Sequence, residues 1–261
     1  MEKWQDNKQI HDAYWGKVLD NVKSKSSNYT DVKSEWAGTF KYEVGGKNDF
    51  QYILDGKTIQ GDFNKYIADK NKYVQDRLNK HVTSTTDAII DLGAGWGRQS
   101  IRMAYDNPSY NILTGELSDT GRQVTNHFKD KYSLNIETFP FNWCEYDSFI
   151  ELLSNKNYNE IVLLTSNTIE QIGHIDIEFF RALLALPIDK VKCIHIEPVG
   201  FQYDNKPFPF NNHYNRNLKS VLDMLEINNE IKVTDVIRKY YGHTVNETGQ
   251  HNTLIEWEKL S

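Results

Sequence analysis

The 261 residues are 39% hydrophobic and 25% charged, ordinary proportions for a folded protein, and the length suits one α/β domain with an appendage or two small domains. The net charge of −6 excludes an overall basic nucleic-acid binder, and no apolar run approaches membrane-spanning length. Cys144 and Cys193 match no metal spacing and make no disulfide framework, so both are expected to be reduced and buried. The polar start, Met1 to Asp6, lacks the apolar core of a signal peptide, and a cytoplasmic location is expected.

Taken in chain order, Ile10, Tyr14, Val18 and Val22 recur at helical spacing. Residues 50–54 and 58–60 flank Asp55-Gly56, a hairpin-turn signal, and a helix follows over 62–80. From Thr86 onward strands and helices alternate. Strands are expected at 88–92, 111–115, 136–141, 160–165, 190–197, 232–237 and 253–258, with helices at 99–105, 119–132, 147–153, 177–186 and 215–226. Such alternation predicts an α/β, Rossmann-like doubly wound fold. Its seven-stranded, mainly parallel sheet would end in an antiparallel hairpin, because no full helix separates the last two strands. The domain expectation is an N-terminal, mostly helical cap over residues 1–81 and a nucleotide-type domain over 82–261.

The apolar run 88–92 leads into Gly93-Ala94-Gly95-Trp96-Gly97 and then a helix. Glycines permit positive φ and let a ligand approach the backbone, and the helix start offers free N–H groups. The dinucleotide pattern G-x-G-x-x-G fails because Arg98 stands where it wants the third glycine, and no Gly-Lys-Ser/Thr completes a P-loop. An acidic residue about twenty positions beyond such a loop binds ribose hydroxyls; Glu116 holds that place.

The string Asp91-Leu92-Gly93-Ala94-Gly95-Trp96-Gly97 resembles motif I of class I S-adenosylmethionine (SAM)-dependent methyltransferases. The resemblance spans roughly the last two thirds of the chain. It implies SAM as cofactor and S-adenosylhomocysteine (SAH) as its product, with Asp91, Gly93, Ala94, Gly95, Gly97 and Glu116 in the binding site. It further implies that Leu117 packs on the adenine, that Asn142 reads its edge beside a stacking Trp143, and that Thr165 lies beneath the methyl donor. Tyr66, on the preceding helix, is placed at the cofactor's methionine end. No Asn/Asp-Pro-Pro-Tyr motif follows the fourth strand, which argues against base-amino or protein-amide acceptors. Glu170-Gln171 stands where small-molecule methyltransferases often carry Glu-His, so the usual histidine base is replaced.

The catalytic candidates are His174, after strand four, and His195 and Glu197, on one face of strand five. Glu170, His213, Tyr214 and Arg216 are the candidate acceptor contacts, Arg216 being suited to phosphate or carboxylate. The eight histidines form no metal-ligand spacing.

The expected function is methyl transfer to an oxygen of a small polar metabolite. The resemblance of the strand-four and strand-five segments is to bacterial sugar O-methyltransferases of surface polysaccharide (capsule) biosynthesis. N-methylation of a small molecule, a SAM-binding protein without catalysis, and a nicotinamide-type oxidoreductase on the same fold are the rival readings. The expected partner is a small-molecule acceptor, with neither nucleic acid nor membrane, and the chain would be a monomer or homodimer.

Overall fold

The computed structural model describes residues 3–25, 28–29, 50–204, 215–242 and 251–260. In chain order, α1 (Lys3–Lys25) precedes β1 (Phe50–Leu54), β2 (Lys57–Gly61) and α2 (Phe63–His81). There follow β3 (Ala88–Leu92), α3 (Arg98–Asp106), β4 (Ile112–Glu116), α4 (Asp119–Tyr132) and β5 (Ile136–Pro140). Next come α5 (Asp147–Ser154), β6 (Glu160–Ser166), a 3-10 turn (Ile169–Gln171) and α6 (Ile177–Leu184). The last elements are β7 (Lys190–Glu197), α7 (Phe201–Asp204), α8 (Leu218–Ile227), β8 (Ile231–Gly242) and β9 (Asn252–Lys259).

The chain divides into two compact units. One unit joins α1 to residues 88–145; the other joins residues 50–87 to 146–260.

In the first unit β3, β4 and β5 are parallel and adjacent in that order, with Asp91 opposite Thr114 and Gly115 opposite Phe139. β3 and β4 are buried along their whole lengths, as apolar strands covered on both faces should be. α1 packs on α4 through Val18, Leu19 and Val22, which are buried. Ile10 was expected on that stripe but is 64% exposed. The buried face runs instead through the Trp15 side of the helix.

In the second unit six strands follow the order β2-β1-β8-β9-β7-β6, with β6 and β7 parallel and the other pairs antiparallel. The expected terminal hairpin is β8–β9. The described residues hold nine strands rather than seven, because the hairpin β1–β2, expected within a helical cap, pairs with β8 instead. Asp55 and Gly56 at its turn donate backbone bonds to Tyr240 and Lys239. α2 is tied to the same sheet by Arg77, which reaches Asp235 at 2.9 Å and the fully buried Glu256 at 3.4 Å. Phe149, Phe179, Phe180 and Trp257 form the aromatic core. No helix among the described residues is long and apolar enough to cross a membrane.

Candidate functional site

In the first unit the chain leaves β3 through a loop whose Gly93, Gly95 and Gly97 all carry positive φ (71°, 60° and 74°). A side chain there would be strained, and at Gly97 a Cβ would lie 2.2 Å from Thr125 Oγ1 of α4. Gly121, in the first turn of α4, allows the loop backbone itself to come close: a Cβ there would sit 2.6 Å from the Gly95 carbonyl oxygen. The amides of Gly93 and Ala94 donate to Gly115, which fixes the loop to the end of β4.

Two carboxyl groups anchor this loop from within. Asp91 is buried and accepts a 2.6 Å bond from Ser100 of α3. Glu116 accepts the Gly95 amide at 2.8 Å on one oxygen and the Ser118 amide at 2.9 Å on the other. Burial raises Asp91 to about 6 and Glu116 to about 7, against the hydrogen bonds that favour their charged forms. Each Glu116 oxygen keeps a second lone pair, so a ribose diol remains bindable. Ser118 caps α4 by accepting from Gly121, and Arg122 donates to the carbonyls of Glu116 and Leu117. Leu117 is half-buried beside them.

Asn142 is half-buried and accepts the Cys144 amide at 3.0 Å, a local turn that uses its carbonyl oxygen. Its amide group donates to Glu145 at 3.4 Å. Trp143 is buried edge-on to Phe141, at 4.8 Å between ring centres, which is core packing. Cys144 is exposed, against expectation, because the Asn142 turn carries it off the end of β5.

Two residues that the sequence does not single out complete this region. Trp15 of α1 lies against Gly95, and Asp12, one turn earlier, bonds to Ser118 and Thr120. Helical periodicity alone places neither at a loop some eighty residues away.

The second unit holds the remaining candidates. His195 is fully buried and fully engaged: Trp257 Nε1–H donates to its Nε2 at 3.0 Å, which leaves Nδ1–H to donate to Thr165 Oγ1 at 2.9 Å. Burial pushes its pKa down to about 3. It is a neutral core residue rather than a base. Thr165 is equally buried and bonds onward to Glu197, which makes it a structural link rather than a cofactor contact.

Glu197 is fully buried, and both its oxygens accept the Thr168 amide, at 3.2 and 3.1 Å. The amides of Ile169 and Glu170 point to it as well. Glu197, expected as a catalytic candidate, thus caps the 3-10 turn. Burial, together with the charge of Glu170, raises it to about 8.

Glu170 sits on that turn, half-buried, with Gln171 donating to it at 3.0 Å. Burial raises it to about 7 against the influence of Lys70. Lys70 Nζ lies 4.5 Å over the Tyr241 ring, and the Tyr241 hydroxyl is 3.5 Å from Ser166. Beside them Asn167 has φ 54°, and its buried Oδ1 has no hydrogen-bond partner among the described residues. An asparagine just past the end of β6 is the one signal of it in the sequence.

Tyr66 is buried against Tyr52, at 5.2 Å between ring centres, in the core of this unit. His174 is exposed. Arg216 is exposed with its backbone amide bonded to Gly173, while His213 and Tyr214 lie outside the described residues. Neighbouring Asn215 is fully buried and accepts the Leu218 amide at the start of α8, which is capping. Among the described residues no group of three potential ligands is placed to hold a metal ion.

No family model matches the chain, and no curated protein matches it in sequence. Solved structures do match. An O-methyltransferase from Bacillus cereus in complex with SAH superposes with a TM-score of 0.51 at 16% identity, over 73% of this chain and 80% of that one. The chain shares the fold of that protein. Cofactor-bound Rv0187 from MTB gives a TM-score of 0.50 at 10% identity, over 74% and 79% of the two chains. The loop suits such a cofactor on its own geometry, since its three glycines hold positive φ and buried Asp91 and Glu116 supply acceptors beside it.

Proposed function

We propose that the protein is a SAM-dependent O-methyltransferase acting on a small polar acceptor. Asp91, Glu116 and the glycine amides would hold the cofactor. When bound, SAM supplies a methyl group already activated by its sulfonium. The protein's own task is then to orient an acceptor oxygen and take its proton.

The observation that carries this reading is the loop of the first unit, three positive-φ glycines with the buried Asp91 and Glu116 carboxyls beside them. Within the second unit, the Asn167 Oδ1 and the Glu170 carboxyl beyond β6 could each bind a hydroxyl of a polar ligand. With SAM bound, the transfer would join its methyl carbon to the acceptor oxygen and release SAH, the acceptor proton passing to a base or to solvent. Glu197, held by Thr165 and the turn amides, keeps Glu170 in place. Two hydroxyls in one acceptor suit a sugar or sugar phosphate, and the resemblance to sugar O-methyltransferases of surface polysaccharides supports the same class.

The test is SAH release measured over a panel of sugars and sugar phosphates. Asp91→Ala or Glu116→Ala is expected to weaken SAH binding strongly. Unchanged SAH affinity in both variants would contradict the proposed pocket. Silence across the panel in a protein that binds SAH would favour a SAM-binding protein without catalysis, the reading to which Gln171 lends weight by standing in the usual place of the histidine.

A further inference from the structure

We propose that Trp15 is a cofactor-binding residue and that α1 is a lid over the donor site, fastened by Asp12. This rests on the reading of the glycine loop as a SAM site.

The indole edge of Trp15 occupies the space over the middle glycine of the loop: a Cβ on Gly95 would lie 2.9 Å from Trp15 Cζ2 and 3.4 Å from Cε2. Nε1 is bonded to Cε2 and so belongs to the edge that faces the loop. That nitrogen is buried and has no hydrogen-bond partner among the described residues. Buried N–H groups are rarely left unpaired, and an indole can only donate. It therefore wants an acceptor at the loop, and SAM offers a carboxylate, ribose oxygens and ring nitrogens. Tyr14 and His11 brace the ring, Tyr14 edge-on at 4.6 Å and His11 stacked at 6.4 Å.

The fastening is equally specific. The Asp12 carboxylate accepts from Ser118 Oγ at 2.7 Å and from the Thr120 amide at 3.1 Å, and Thr120 Oγ1 donates to the Asp12 carbonyl at 2.8 Å. Lys8 bridges Asp12 and Asp119. These partners follow directly on Glu116, so α1 is clamped to the segment that carries the proposed ribose-binding carboxylate. With α1 lying over the loop, cofactor exchange requires the helix to lift.

Calorimetry with SAH on the full-length protein separates the outcomes. If the wild type does not bind SAH, the SAM reading itself fails. If it binds, Trp15→Phe keeps the aromatic packing, loses the N–H, and is expected to bind about tenfold more weakly, the factor of one hydrogen bond. Unchanged affinity in a variant whose circular dichroism matches the wild type overturns the role of Trp15. The lid is tested on the unaltered protein, by trypsin cleavage at Lys17 of α1 followed by mass spectrometry. Saturating SAH is expected to slow that cleavage severalfold, and Asp12→Asn to speed SAH dissociation. A cleavage rate indifferent to SAH overturns the lid.

Discussion

Gly95 and Gly97 share a left-handed backbone but answer to different neighbours. Gly95 faces an indole edge, whereas Gly97 faces the β-branched Thr125, whose Oγ1 bonds to the Gly121 carbonyl and cannot easily withdraw. Gly97→Ala combines left-handed strain with overpacking, and a loss of about 2–4 kcal/mol is expected in urea unfolding. A loss below about 0.5 kcal/mol, the scale of a neutral surface change, would show that the loop does not press on α4 as described. Asp91, Glu116 and the three glycines were legible in the sequence because strand-end chemistry repeats at fixed spacing. Gly121, Asp12, Trp15 and Asn167 were not, because their importance comes from contacts between distant segments or from an atom left unpaired. His195 was legible only as an ambiguity. Alternation put it on the face of Glu197, but the bonds to Trp257 and Thr165 decide that it is a core group.

At the level of elements, the strands 88–92 and 190–197 and the helix 119–132 fall where periodicity places them, because each has a buried face and a clear punctuating residue. β8 runs on to Gly242, past the expected end at 237, through an irregularity at Lys239, whose φ is 55°. Local pattern cannot foresee that extension, since the added residues are held by the turn of a hairpin remote in sequence. α1 offers a direct test of continuity. Gly16 lies in its interior, and a Cβ there would meet nothing within 4 Å. Gly16→Ala should therefore stabilise the protein by about 1 kcal/mol through helix propensity alone, read from the urea midpoint. A destabilised variant would mean that the helix is not continuous at that turn.

Across the whole molecule, buried ionisable groups set an unusual pH dependence. Burial raises Asp91 to about 6, Glu116 and Glu170 to about 7 and Glu197 to about 8. Each holds its proton more tightly folded than unfolded. The resulting cost is absent below the unfolded carboxylate range of about 4, grows as pH rises, and is complete above about 8. Asp12 and Glu160 act in the opposite sense: burial opposes their ionisation but is outweighed by Lys8 and Lys192 and other hydrogen bonds, so their stabilisation is lost as pH falls below the unfolded range. His195, lowered to about 3 by burial, likewise loses stability as pH falls from the unfolded value of about 6.5. His11 is shifted the same way by burial. Between pH 5 and 8 four carboxyl groups release protons on unfolding and these two imidazoles take them up, so stability should peak near the acid end of that window and decline toward pH 8. Glu116→Gln removes one of the four. Its stability relative to the wild type should rise from pH 5 to pH 8 by on the order of 3 kcal/mol, measured by urea unfolding at unit pH steps. The fixed loss of one acceptor oxygen for the Gly95 and Ser118 amides shifts both ends of that comparison equally, so the slope isolates the charge. A constant difference between the two proteins would show that Glu116 is already ionised at no cost, with the two amides alone outweighing its burial.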